Sequence, residues 1–249
     1  MQDLSTLELM RLTSPPQACS YLPEQTASLE YRIIFAIDPA AYEDLLQRGW
    51  RRHGCHFFRP ACPACTECRS LRVDVARFRP TKSQRRCLAR NTHVRVEIGE
   101  PAVSGSHLRL FNTYHADMHE RRGWPHKRVT PEEYVESFLV GTWSFAREFR
   151  YFDGSRLVGV GLVDEVASGL SSVYFYHEPA WRPLGPGTFS ILSEIEHARD
   201  TGRPWHYLGY WIAGCASMSY KARFGPHELL LCDPPDGEQP LWQPDSPAR

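Results

Sequence analysis

The order of elements between residues 145 and 212 constrains this chain more than any other feature. Apolar and aromatic runs at residues 145–152, 157–163 and 171–176 read as strands, and Asp153-Gly154 supplies a tight turn between the first two. A helix over residues 188–199 and a strand over residues 205–212 complete the series. Thr188, Ile191, Leu192 and Ile195 share one helix face and read as packing, while Gly202 and Pro204 end the helix. Three antiparallel strands, a helix and a further strand specify an α+β arrangement.

Upstream, residues 29–37 read as a strand, and Asp38-Pro39 is an N-cap followed by proline at the first helical position. That helix runs to about Gln47, buries Ala41, Leu45 and Leu46, and stops at Gly49. Residues 71–79 begin by alternating, with Leu71, Val73 and Val75 on one side of a half-exposed strand. Residues 94–98 form another strand. Residues 108–121 read as a helix with Leu108, Phe111, Tyr114, His115 and Met118 toward the core, and Thr130, Pro131 and Glu133 spell a capping box. The joint at residues 100–105 divides the chain into a cysteine-rich part, residues 1–100, and a transfer domain, residues 101–232. Residues 233–249, rich in proline and acidic side chains, are expected to form an extended tail without function.

With 249 residues the chain is long enough to bury a real core as one large domain or two small ones. Its 29 basic and 29 acidic residues cancel, so any contact with RNA must come from a local cluster rather than a global field. Residues 1–16 carry acidic side chains and no continuous apolar segment, which predicts neither a signal peptide nor a membrane span and hence a cytoplasmic protein. In that compartment eight cysteines are expected as thiols, metal ligands or redox centres.

Three clusters carry chemistry. Cys62, Cys65 and Cys68 form a Cys-x-x-Cys-x-x-Cys run, whose two-residue spacers let thiolates converge on one soft cation or an iron-sulfur cluster. A fourth ligand is required; Cys55 is the local choice, and His53 or His56 would suit zinc better than a cluster. Lys82, Arg85, Arg86 and Arg90 fall on one helical face, a stripe that either grips nucleic-acid phosphates or is simply solvated. In the turn Arg182-Pro-Leu-Gly185-Pro-Gly187-Thr, two glycines precede a helix whose free amides can receive an anion.

The stretch WHYLGYWIAGCASMSYKARF, residues 205–224, packs aromatics, a glycine turn and the cations Lys221 and Arg223 together. It resembles the C-terminal signature of arginyl-tRNA-protein transferases, specifically the shorter bacterial branch called aspartate/glutamate leucyltransferases, through YLGYWI and YKARF. Lys82-Ser-Gln-Arg-Arg86 resembles a second element of that family, found after its cysteine group. The resemblance spans residues 19–224 and departs from the family at Gly185-Pro186, where relatives carry Ser-Leu. It implies an acetyltransferase-like (GNAT-like) C-terminal domain whose splayed sheet holds the acyl donor in its gap. It also implies that Cys19, before Tyr-Leu-Pro, joins the cysteine group as a ligand of an iron-sulfur cluster or zinc.

The implied reaction moves leucine from leucyl-tRNA to the N-terminal amine of proteins beginning with Asp or Glu, marking them for degradation in the N-degron pathway. Arginyl transfer, a coenzyme-A-dependent N-acyltransferase and a metal-binding RNA module without catalysis are the alternatives. The ester of a charged tRNA is already activated, so transfer needs alignment and management of one proton, and no cofactor. On this reading Lys82, Arg85, Arg86 and Arg90 bind tRNA, and Gly185 and Gly187 lie near the end of the aminoacyl-tRNA. Lys221 and Arg223, with Arg182 in reserve, select the acidic acceptor. Tyr207 and Tyr210 orient the attacking amine or the ester carbonyl.

Overall fold

A computed structural model describes residues 6–245. Strand β1 (Thr6–Thr13), the short pair β2 (Gln17–Ala18) and β3 (Thr26–Ala27), and β4 (Leu29–Ile37) lead to helix α1 (Pro39–Gln47) and the hairpin β5 (Arg51–His53) and β6 (His56–Pro60). Strand β7 (Arg69–Asp74), helix α2 (Lys82–Arg90) and strand β8 (Val94–Gly99) follow, then helices α3 (Gly105–Arg122) and α4 (Pro131–Tyr134), the latter running into a π-helical turn, Val135–Leu139. Strands β9 (Ala146–Asp153), β10 (Arg156–Val166) and β11 (Gly169–His177) come next, with a 3-10 turn, Pro179–Leu184, before helix α5 (Pro186–Asp200) and strand β12 (Trp205–Trp211). Helix α6 (Ala216–Ser219), a 3-10 turn (Tyr220–Arg223), and strands β13 (His227–Leu230) and β14 (Trp242–Pro244) finish the described chain.

Local signals set the helix ends as the residues dictate. Asp38 Oδ1 accepts from the amides of Ala40 and Ala41, both at 2.9 Å, and Gly49 turns the chain at φ 88°. Thr130 and Glu133 cap α4 reciprocally, and Thr81 and Gln84 do the same for α2. Along α3 the deeply buried residues are His107, Leu110 and Phe111, so the helix is turned slightly from the face that Leu108 and Met118 predicted.

Eight strands form the main sheet, in the order β14-β13-β7-β12-β11-β10-β9-β8, and β1-β4-β6-β5 form a second, smaller sheet. The fold is therefore α+β with one large mixed sheet. Strand β7 sits between β13 and β12 and keeps the expected alternation, with Leu71, Val73 and Val75 buried on one side and Arg72 and Asp74 only partly covered on the other. Since β7 and β8 both come from residues 1–100, the main sheet runs across the boundary placed at residue 100.

Helix α5 buries Phe189, Ile191, Leu192, Ile195 and Ala198 against β7, β9, β11 and β12, and α1 seals a second cluster built on Trp50, Phe57, Phe145 and Tyr207. There the Arg52 guanidinium is ion-paired with buried Asp164, whose other partner is the Tyr42 hydroxyl at 2.6 Å. Such a pair costs desolvation but resists separation, because breaking it strands a charge in the core.

The tail is not free. Trp242 pairs opposite Leu230, packs its ring 5.7 Å from Tyr207, and donates from Nε1 to the Gln47 carbonyl at 3.1 Å, while Arg48 donates to the Pro235 carbonyl at 3.1 Å. One tryptophan with a hydrogen-bond partner anchors a segment whose composition alone predicts looseness. The expectations for residues 1–5 and 246–249 lie outside the described residues. Among the described residues no helix is long and apolar enough to cross a membrane.

Candidate active site

Strands β11 and β12 run parallel and pair at only three positions, Gly169 with Trp205, Leu170 with His206 and Ser171 with Tyr207. Beyond them β11 continues to His177 bonded to β10, and β12 to Trp211 bonded to β7, so each strand is held on its outer side. The main sheet is thus open along one internal seam, where backbone amides and carbonyls of two strands lack each other as partners. Ser172 and Leu208 are the first residues past the seam's closed end.

Tyr207 and Tyr210, expected at the reaction centre, are instead structural. Tyr207 is fully buried, packed on Trp242, with only a long bond from Arg72 Nη1 at 3.4 Å to its hydroxyl. The Tyr210 hydroxyl donates to the carbonyls of Gly49 at 2.9 Å and Phe58 at 3.1 Å, tying β12 to the smaller sheet, and burial pushes its phenol well up. Strict alternation would send residues three apart to opposite faces, and the register shift between Tyr207 and Gly209 is what brings both side chains to the face that the N-terminal elements cover.

The same strand builds a cationic cluster. A bulge after Tyr207 sets Gly209 at φ 80°, the left-handed region that favours glycine, and two buried cations stand over it, with Lys221 Nζ and Arg51 Nε 3.6 and 3.7 Å from where a Cβ would be. Lys221 is 8% exposed and donates to the Tyr210 carbonyl at 2.6 Å; burial first, then Arg51, pushes its ammonium down to about 7, against the opposing pull of Cys68 and Cys215. Arg51 is 5% exposed, donates from Nη1 to the Trp50 carbonyl at 3.1 Å, and leaves Nε and Nη2 without a partner. Close by, burial pushes the Asp233 carboxyl up to about 6, against Arg59 and then Arg51. The Arg51 guanidinium also lies 5.7 Å from the Tyr207 and Tyr210 ring centres, and its two unpartnered donors are of the kind that can pair with a carboxylate.

Arg51 was missed by sequence reasoning. Its only signal is the pair Arg51-Arg52 in a short strand, which alternation must send to opposite faces without saying which meets the site.

The other expected acceptor residues stand apart. Arg223 is exposed, with only its carbonyl engaged, by Gln84 Nε2 at 3.1 Å. Arg182 is ion-paired with Asp117 of α3, which removes it from the reserve role. Gly185 takes φ 76° at the start of α5, where a Cβ would stand 3.4 Å from Cys87 Sγ; Gly187 has open space around it.

On α2, Lys82, Arg85, Arg86 and Arg90 are all exposed, opposite buried Gln84 and Cys87. Arg85 donates to the Pro80 carbonyl at 2.6 Å and Arg90 to the Pro183 carbonyl at 3.3 Å. Asn91 donates to the Leu184 carbonyl at 2.9 Å, so the basic stripe ends beside the glycine turn.

In the cysteine group, Cys19 Sγ accepts from the amides of Tyr21 and Leu22, each at 3.4 Å, and Cys62 Sγ donates to the Ser28 carbonyl at 3.6 Å. The Cys68 thiol is pushed up to about 12, by burial first and then by Cys62, Cys19 and Cys65. Cys55 lies elsewhere, at the turn of the β5–β6 hairpin, 3.7 Å from His56 Nδ1. His53 packs on Phe138, and burial lowers its imidazole to about 4. Four thiols thus share one neighbourhood without closing on a centre: among the described residues no three His, Cys, Asp or Glu side chains form a group able to hold a metal ion.

Among solved structures, the C-terminal domain (DUF2156) of a putative lysylphosphatidylglycerol synthetase from Agrobacterium fabrum is similar at a TM-score of 0.46 and 12% identity, over 79% of this chain and 70% of that one. Sequence similarity is far closer. Curated aspartate/glutamate leucyltransferases of Helicobacter hepaticus (36% identical, covering 95% of this chain and 98% of that protein), Saccharophagus degradans (36%, 93% and 97%) and Nitrosococcus oceani (38%, 87% and 90%) align over nearly their whole lengths. The family model described as arginine-tRNA-protein transferase, N terminus, matches residues 17–86, and that described as arginine-tRNA-protein transferase, C terminus, matches residues 106–231. With both family models matched and relatives at 36–38% identity aligned over 87% or more of the chain, the chain belongs to the arginine-tRNA-protein transferase family.

Proposed function

We propose that this protein transfers leucine from leucyl-tRNA to the N-terminal amine of proteins that begin with Asp or Glu, marking them for degradation in the cytoplasm, where charged tRNA is found. The observation that carries the acceptor half is the Arg51 and Lys221 pair over Gly209, in which the two unpartnered donors of Arg51 suit a side-chain carboxylate. The names of the relatives, aspartate/glutamate leucyltransferase, support the leucyl donor and the acidic acceptor together. The open seam between β11 and β12, the feature expected of an acetyltransferase-like sheet, receives the aminoacyl end of the tRNA. The exposed stripe of Lys82, Arg85, Arg86 and Arg90 runs from there along the phosphates.

In the reaction the amine nitrogen attacks the ester carbonyl, the bond to the ribose oxygen breaks, and one proton passes from nitrogen to that oxygen. Since the ester is activated, this chain's work is orientation: Arg51 and Lys221 hold the acceptor's first side chain, and burial around them strengthens the pairing. Lys221 titrates near neutrality, so an arriving carboxylate raises its affinity for a proton. Binding of an acidic acceptor at pH 8 is therefore expected to take up close to one proton, read by calorimetry in buffers of different ionisation heat.

Cys19, Cys62, Cys65 and Cys68 would hold the metal centre. Their donor chemistry fits a soft cation: the Cys19 sulfur accepts two backbone amides, and a bound cation would counter the burial that chiefly raises Cys68 and the further push of Cys62, Cys19 and Cys65. Zinc or an iron-sulfur cluster would supply structural closure of the segment that carries Tyr21 and Leu22.

The test is transfer by the wild-type protein from leucyl-tRNA and from arginyl-tRNA to peptides beginning with Asp, Glu, Asn or Gln. Leucine on Asp and Glu is expected. Arginine as the only product would replace the donor, and equal use of Asn and Gln would remove the acceptor reading.

A further inference from the structure

The cationic cluster explains how an acidic acceptor is chosen but leaves unassigned the group that moves the proton. Where the seam between β11 and β12 opens, four polar side chains converge. Glu194 of α5, 2% exposed, accepts from Ser190 Oγ at 2.8 Å through Oε1 and from Ser172 Oγ at 2.5 Å and His206 Nε2 at 2.8 Å through Oε2. Ser172 Oγ and His206 Nε2 are themselves 3.0 Å apart. His206 is fully buried and its Nδ1 has no partner, so the less costly tautomer keeps the proton on Nε2 and leaves a bare lone pair on Nδ1.

Three features separate this arrangement from ordinary packing. Ser172 directly follows the last residue of β11 that pairs with β12, and unlike Glu194 and His206 it keeps part of its surface exposed. The register of β11 against β10 shifts between Ser172 and Tyr174, a bulge that re-aims side chains beside a site. Tyr220, 38% exposed on the turn after α6, lies close enough to Glu194 that the carboxylate, after burial of the hydroxyl, helps push its phenol up, with Tyr114 of α3 as the further contributor. The carboxylate therefore sits behind the Ser172 hydroxyl at the mouth of an open seam, where three donors offset the cost of its burial and hold both of its oxygens in place.

We infer that Ser172 is the catalytic proton shuttle of the transfer reaction, with Glu194 as its proton store and His206 as the positioning residue that holds both. The assignment rests on the transferase reading above. As the carbon–nitrogen bond forms, a proton leaves the attacking amine for Ser172 Oγ while the Ser172 hydroxyl proton passes to Glu194 Oε2. As the ester carbon–oxygen bond breaks, the proton on Glu194 returns through Ser172 to the ribose oxygen. The amine loses one proton, the leaving alcohol gains it, and serine and glutamate end as they began.

The test is single-turnover transfer at saturating charged tRNA, over a range of acceptor peptide, with wild type, Ser172→Ala, Ser172→Thr and Glu194→Gln. Losing a general acid-base path should cut the maximal rate by about 10²- to 10³-fold in Ser172→Ala and Glu194→Gln while the acceptor concentration at half-saturation stays put. Ser172→Thr, which keeps the hydroxyl, should return the rate to within about tenfold of wild type. Ser172→Ala carries the test if Glu194→Gln fails to fold. Wild-type transfer with Ser172→Ala within about threefold overturns the shuttle and leaves the proton to the substrate's own ribose hydroxyl. A loss confined to half-saturation overturns it too. A wild-type protein inactive with both leucyl-tRNA and arginyl-tRNA overturns the functional reading and the shuttle with it.

Discussion

Lys221→Met tests whether the cations over Gly209 are as tightly confined as the geometry makes them. The ammonium is lowered from 10.5 to about 7, and each unit is worth about 1.4 kcal/mol, so holding Lys221 charged in the fold costs on the order of 5 kcal/mol. Between pH 7 and pH 10.5 the unfolded chain binds more protons at this lysine than the folded one, so its contribution to stability rises with pH. From pH 7 to pH 9 the gain is about 2 kcal/mol, and methionine, which cannot titrate, loses it. Urea unfolding of wild type and variant at both pH values, with thiols kept reduced, isolates the effect as a change in the gap between them. The bond from Lys221 to the Tyr210 carbonyl shifts the size of the gap at either pH but not its change. A gap constant to within about 0.5 kcal/mol would mean that Lys221 is solvated or already paired with an anion rather than buried beside Arg51.

Reversing Lys82, Arg86 and Arg90 to glutamate should weaken tRNA binding and lower the slope of log affinity against log salt by about 2 to 3; an unchanged slope would make the stripe a solvated helix face. Because its thiol is pushed up to about 12, Cys68 should be alkylated more slowly at pH 8.5 than an unshifted thiol, and added zinc should protect Cys19, Cys62, Cys65 and Cys68 together. Protection of Cys62 and Cys65 alone would remove Cys19 from the group. Trp242→Ala strips a ring that packs on Tyr207 and over Arg72 and should cost about 2 kcal/mol in unfolding free energy, whereas an unanchored tail would lose nothing.

What was legible in the residues was chiefly local. Asp38-Pro39 and Thr130-Pro131-Glu133 name helix starts because a cap is a contact between neighbours in sequence, and residues 145–212 declare their element order because periodicity repeats within each element. Strand pairing is not local. The alternation of Leu71, Val73 and Val75 names the buried face of β7 correctly, but nothing in it says that β7 will enter between β12 and β13. Alternation gives two faces to β12 and β5 without saying what each will meet: Arg51 turns out to lie 5.7 Å from the ring centres of both Tyr207 and Tyr210, while burial and backbone carbonyls take up the tyrosine hydroxyls. Helix α5 reads as apolar packing because Ile191, Leu192 and Ile195 dominate it, and Glu194 gains meaning only when β11 and β12 bring Ser172 and His206 to it from far along the chain. Composition also misleads in the tail, where one tryptophan outweighs a run of prolines.

If a buried arginine and lysine select the acceptor by charge, the ratio of kcat/KM for an Asp-initiated over an Asn-initiated peptide measures that selection directly. Loss of a buried carboxylate partner should lower that ratio about 10- to 1000-fold in Arg51→Met, with the Asn peptide used about as well as by wild type. An Arg51→Met enzyme that keeps the full wild-type preference for Asp would contradict the account, since the discriminating charge would then lie away from Gly209.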